Sequence, residues 1–130
     1  MKMLVDAAIA AREASYSPYS HFAVGAALLT ADGRVYTGTN IENSSFTPTV
    51  CAERVAFFSA VRDGVRDFSA IAIVGGPAGK PISQACPPCG VCRQVMSEFC
   101  GGEFRIILFD GKSTVTYTLG ELLPASFDLL

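Results

Sequence analysis

Two short stretches carry reactive side chains at usable spacings: Cys51-Ala52-Glu53-Arg54 and Pro88-Cys89-Gly90-Val91-Cys92-Arg93-Gln94. Each stands where a helix is expected to begin. Cys89 and Cys92, three apart, share one face of such a helix, and a helix N-terminus lowers a thiol's pKa by presenting N–H groups without partners. Both effects favour thiolates. Cys51 and Glu53 are two apart and share no side face, but side chains of a first turn can converge on the space beyond its end. The expected result is a metal ion held between two helix N-termini. Three cysteine ligands on tetrahedral zinc leave a fourth position for water, and a carboxylate that is not a ligand can move that water's proton. Hydrolysis needs that arrangement. Three thiolates on one dication leave net negative charge, which weakens the ion's pull on its water unless donors withdraw some of it; Arg54 is the candidate donor.

The same cysteines have other uses. Cys51, Cys86, Cys89 and Cys92 could close a four-cysteine structural site, and Cys89 with Cys92 could be a redox dithiol. The redox reading lacks a thioredoxin-like strand before the pair and leaves Cys51-Ala52-Glu53 unexplained. Cys86 creates Cys-Pro-Pro-Cys, in which the proline pair should hold the segment extended and away from the metal, so a free thiol is expected there. His21, the only histidine, follows a loop of tyrosines and serines and reads as a surface or hydrogen-bonding residue rather than a ligand.

The elements that must position these residues follow from periodicity. Leu4, Ala7, Ala8 and Ala11 stand at helical spacing over residues 2–15, ahead of the turn-prone Ser17-Pro18-Tyr19-Ser20. Phe22–Leu29 and Val35–Asn40 flank the turn signature Ala31-Asp32-Gly33-Arg34 and read as a hairpin. Thr47-Pro48 looks like a helix start, giving a helix from about Pro48 to Arg62. Phe68–Val74 is a nearly all-apolar strand, a helix is expected from about Cys89 to Cys100, and Phe104–Phe109 and Thr114–Leu119 supply two more strands. This order implies an α/β fold, a three-layer α/β/α sandwich with a mixed five-stranded sheet. No internal repeat, linker or low-complexity segment interrupts it.

Half of the 130 residues are apolar, enough for one core and too few for two ordinary domains, so one domain over residues 1–130 is expected. The net charge of -2 comes with scattered basic residues, which argues against a nucleic acid polymer as partner. No stretch approaches the roughly 20 apolar residues of a membrane span, and the N-terminus reads as soluble and unprocessed. Five cysteines, three of them crowded together, suit a reducing cytoplasm better than a disulfide framework.

Cys-Ala-Glu-Arg followed by Pro-Cys-Gly-Val-Cys-Arg-Gln resembles the homotetrameric zinc-dependent cytidine deaminases. The similarity runs over nearly the whole chain, through Tyr16-Ser17-Pro18-Tyr19-Ser20, Phe22-Ala23-Val24-Gly25-Ala26-Ala27, Asn40-Ile41-Glu42-Asn43 and Glu121-Leu122-Leu123-Pro124. The resemblance implies one zinc ion per subunit on Cys51, Cys89 and Cys92, with Arg54 hydrogen-bonded to ligand sulfurs. It implies Glu53 as general acid and base in the hydrolysis of cytidine and deoxycytidine to uridine and deoxyuridine, protonating ring nitrogen 3 and then departing ammonia. Phe22, Asn40, Glu42, Ala52 and Phe127 are the implied substrate-binding residues. Asn40 and Glu42 would hold a ribose hydroxyl, Phe22 would lie against the pyrimidine, and Phe127 would close a neighbouring subunit's pocket. Phe46 stands where the family often has tyrosine, so any intersubunit bond through that hydroxyl is missing. Blasticidin S deaminases share the zinc motifs but resemble this chain less around Asn40-Ile41-Glu42-Asn43. Nucleotide and polynucleotide deaminases usually carry histidine where Cys51 stands.

Overall fold

The computed structural model describes residues 1–130. Helix α1 spans Lys2–Arg12, followed by strands β1 (Phe22–Thr30) and β2 (Val35–Thr39), helix α2 (Ala52–Arg62), strand β3 (Phe68–Pro77), helix α3 (Gly90–Phe99), strands β4 (Arg105–Phe109) and β5 (Thr114–Thr118), and a short helix α4 (Leu119–Leu122). The strands form one sheet in the order β2-β1-β3-β4-β5. Only β3 and β4, joined through α3, run parallel; the other three pairings are antiparallel.

Alternation along the central strands sends successive side chains to opposite faces. Ala26, Leu28, Ile71, Ile73, Ile106 and Leu108 pack with Phe57 of α2 and Met96 of α3. Ala27, Ala70, Ala72, Val74 and Ile107 pack with Leu4, Val5 and Ala8 of α1. The sheet is therefore covered on both faces, which yields the expected α/β/α layering.

Two glycines set how closely helices approach. A Cβ on Gly25 of β1 would stand 2.1 Å from the Ala8 carbonyl oxygen of α1, and one on Gly38 of β2 would stand 2.2 Å from the Ala52 carbonyl oxygen of α2. Arg12, at the end of α1, is buried and donates to the carbonyls of Ala23 (3.0 Å), Gly76 (3.2 Å) and Pro77 (2.7 Å). It thus rivets the start of β1 to the end of β3.

Four expectations differ from the structure. α1 stops at Arg12 rather than residue 15, and β3 continues past Val74 to Pro77 because β1 pairs along its full length, Phe22 opposite Pro77. α2 begins at Ala52, not Pro48: Val50 and Ile41 exchange main-chain hydrogen bonds of 3.0 Å, which holds the preceding residues extended and leaves Cys51 as the N-cap. The residues after β5 form α4, closed by a capping box in which the Thr118 hydroxyl accepts from the Glu121 N–H and the Glu121 carboxylate accepts from the Thr118 N–H.

Candidate functional site

Cys51 and Cys89 are the N-cap residues of α2 and α3, both in extended conformation, and Cys92 lies in the first turn of α3. The caps bring the thiols together at the ends of two helices whose orphan N–H groups favour negative charge. The Sγ atoms lie 3.6 Å apart for Cys51 and Cys89, and 3.4 Å apart for Cys89 and Cys92; all three fall within 4.8 Å of one another. Sulfurs about 2.3 Å from a tetrahedral zinc stand about 3.8 Å apart, so the cluster has the size of such a site.

Charge on the cluster is unevenly supported by the protein. Hydrogen bonds from Cys92, Arg54 and Cys89 bring the Cys51 thiol down to about 5, whereas donation to Cys51 and burial push Cys92 up. Thiolates this close repel, and a divalent cation is what allows all three to ionise together. The donor set therefore fits a metal. Arg54 donates from Nη2 to the Cys51 sulfur at 3.4 Å.

Glu53, in the first turn of α2, is 4% exposed and forms no ion pair. Burial pushes its carboxyl up to about 7. Its carboxylate does not join the three-sulfur cluster, and neither does Cys86. The Cys86 sulfur turns instead onto the backbone of Gly75, 2.7 Å from where a Cβ would stand, with the Phe22 ring 3.2 Å from the same point. No protein sulfur beyond the three belongs to the cluster, as the proline pair led us to expect.

Asn40 and Glu42 lie on the segment leaving β2. Asn40 donates from Nδ2 to the Phe22 carbonyl (2.8 Å) and accepts at Oδ1 from the Val24 N–H (2.9 Å) and the Ser15 hydroxyl (2.5 Å). Glu42 accepts at Oε1 from the N–H groups of Tyr19 (2.9 Å) and Ser20 (3.2 Å), and at Oε2 from the Ser20 hydroxyl (2.5 Å). These bonds hold its carboxyl below the usual range, the Ser20 hydroxyl contributing most. Ala52 is fully buried at the first position of α2. Phe127 does not reach its own chain's cluster: its carbonyl accepts from Gln94 of α3 at 3.4 Å, and its ring is 70% exposed. Phe46 is equally exposed, in left-handed conformation (φ 63°), edge-on to Tyr19.

The sequence pointed to no role for Ser15, Ser20 or Arg93. The Arg93 guanidinium donates to the Pro88 carbonyl (2.8 Å) and the Leu122 carbonyl (2.8 Å), staplings that fix the loop before Cys89 against α4. The Thr118-x-x-Glu121 spacing was a legible sign of α4; the serines had no local signal, since their partners lie 22 to 25 residues away.

Residues 1–107 match the family model described as the cytidine and deoxycytidylate deaminase zinc-binding region. A cytidine deaminase of Sporosarcina psychrophila is 52% identical over 118 residues, covering 90% of this chain and 83% of that protein. The chain belongs to the cytidine deaminase family. Another cytidine deaminase, from Halalkalibacterium halodurans, is 48% identical over 97% of this chain and 92% of its own length. The crystal structure of cytidine deaminase from Burkholderia pseudomallei superposes with a TM-score of 0.88 at 44% identity, covering 97% of this chain and 98% of that one. Cys51, Glu53, Cys89 and Cys92 all fall within the family's zinc-binding region, and the three-sulfur cluster is the group that fits the metal. Zinc is the cofactor of this cytidine deaminase family member.

Proposed function

We propose that the chain catalyses the hydrolytic deamination of cytidine and deoxycytidine, with Cys51, Cys89 and Cys92 as zinc ligands and Glu53 as proton carrier. The observation that carries this reading is the buried carboxylate of Glu53 beside a cluster that has three protein sulfurs and no fourth. Zinc, when bound, acidifies water and so supplies a nucleophile at neutral pH. Glu53 would take the proton the water loses and give it to ring nitrogen 3, then take the second proton of the former water and give it to the departing ammonia. Arg54, bonded to the Cys51 sulfur, withdraws charge from the ligand set. Phe22 packs on the pyrimidine, and Ala52 heads α2, where main-chain N–H groups without helical acceptors can meet the substrate. Asn40 and Glu42 hold the sugar: a hydroxyl both accepts and donates, and an amide N–H beside a carboxylate oxygen offers both complements.

A homotetramer with shared active sites is the assembly we favour. Support comes from apolar side chains left open: Phe127, Leu129 and Leu130 on the C-terminal segment, and Phe58 and Val91 lining a groove of about 470 Å³ between α2 and α3. We also favour a reducing, cytoplasmic setting, on the free state of all five cysteines. No helix is long and apolar enough to cross a membrane.

The test is cytidine turnover by ultraviolet absorbance, with zinc measured in the same samples. Glu53→Gln should lose about 10²- to 10⁴-fold in kcat while retaining zinc. Turnover at the wild-type rate would remove Glu53 from the chemistry. Running deoxycytidine, cytidine monophosphate and blasticidin S beside cytidine ranks the substrates; faster turnover of the monophosphate or the antibiotic would overturn the nucleoside assignment.

A further inference from the structure

Asn40 is bonded far more heavily than a sugar-binding amide requires. Its main-chain N–H donates to the Val24 carbonyl (3.3 Å), and its carbonyl accepts from the Tyr16 N–H (3.1 Å). Its side chain adds three more bonds, to Phe22, Val24 and Ser15. A neutral amide has two acceptor positions on oxygen and two hydrogens on nitrogen. Val24 and Ser15 occupy both positions on Oδ1, and the Phe22 carbonyl takes one Nδ2 hydrogen. One N–H remains.

We infer that Ser15 is a positioning residue for sugar recognition: its hydroxyl saturates the Asn40 oxygen, so that Asn40 presents a single, fixed N–H donor to a substrate hydroxyl. The inference rests on the reading of Asn40 given under Proposed function and adds to it a residue that touches no substrate.

A hydroxyl has one proton, and Ser15 lies 2.5 Å from Asn40 Oδ1 and 3.2 Å from the Ser17 hydroxyl. Ser15 is the donor in both contacts, and its single proton goes chiefly to the nearer acceptor, Asn40, rather than to Ser17. Donation into an amide oxygen polarises the group and strengthens its N–H as a donor. Without that hydroxyl, one lone pair on Oδ1 is left open to water or to the substrate hydroxyl itself, which could then bind in the wrong sense. Phe22 and Val24 still hold the amide plane, so the fold does not depend on Ser15. Residues 40 and 42 flank Ile41, which bridges both Tyr16 and Val50, and residues two apart on an extended stretch project to the same side. The substrate oxygen that accepts from Asn40 can therefore give its proton to Glu42, whose Oε1 is filled by two N–H groups while Oε2 takes only the Ser20 hydroxyl.

Steady-state kinetics on the intact enzyme test this with two nucleosides, cytidine and 2′,3′-dideoxycytidine, which lacks both ring hydroxyls. Loss of one hydrogen bond of ordinary strength corresponds to about a three- to tenfold effect. Ser15→Ala should raise KM for cytidine by that factor, leave kcat within about twofold, and leave KM for dideoxycytidine unchanged. Ser15→Thr, which keeps the hydroxyl, should restore most of the loss. An equal rise in KM on both nucleosides, or no rise on either, overturns the positioning role. Wild-type enzyme that binds the two nucleosides equally would instead overturn the reading of Asn40 as a sugar ligand, and with it this inference.

Discussion

Cys86 is three residues from Cys89, yet its sulfur rests on Gly75 and Phe22 while the other three sulfurs converge elsewhere. Burial pushes its thiol up to about 11, and that of Cys100 to about 12. Burial thus disfavours both thiolates, so neither thiol is a ready nucleophile at pH 8, and Cys86 stands outside the sulfur cluster. Cys86→Ser should therefore keep its zinc by atomic absorption, and peptide mapping of the wild-type enzyme should find Cys86 and Cys100 unmodified by iodoacetamide at that pH. Loss of the metal from Cys86→Ser would mean that a fourth sulfur closes the site. Glu53 obeys the same rule: its carboxylate is not one of the clustered donors, and burial disfavours its charged form.

Helix α2 carries both Cys51 and Glu53, and its distance from β2 is set by Gly38. A methyl group there would stand 2.2 Å from the Ala52 carbonyl oxygen and 2.6 Å from the Ala56 nitrogen, both main-chain atoms that cannot turn aside. Gly38→Ala should cost about 1–3 kcal/mol in urea unfolding and reduce kcat, because the helix must move with its catalytic load. Gly25→Ala, which strikes the Ala8 carbonyl of α1 on the opposite face, should cost a similar amount and spare kcat. Equal kcat in the two variants would show that α2 does not transmit the shift. How much of this could be read beforehand depends on range. The three clustered cysteines sit in short motifs at helix starts, and the strands alternate clearly, so the cluster and the sheet were visible in the chain. The true start of α2 was not, since it is fixed by the pairing of Val50 with Ile41 rather than by the proline at position 48. The Ser15–Asn40 contact was hidden for the same reason: 25 residues separate partners that no local pattern links.

At the scale of the molecule, the sheet places α1 on one face and the paired helices α2 and α3, with the sulfur cluster at their ends, on the other. The apolar groove beside Phe58 and Val91 and the open ring of Phe127 are surfaces that further copies would cover. Sedimentation equilibrium at micromolar concentration should return four times the 13.7 kDa chain mass, with specific activity falling on dilution; a 13.7 kDa particle of full activity would dispose of the shared-site reading. The buried guanidinium of Arg12 ties α1 to the start of β1 and the end of β3 in a particular way. Its acceptors are three peptide carbonyls, none of which titrates or is shielded by dissolved ions. Brine that loosens a surface pair such as Lys2 with Asp6 leaves that corner of the enzyme untouched, and so does mild acid.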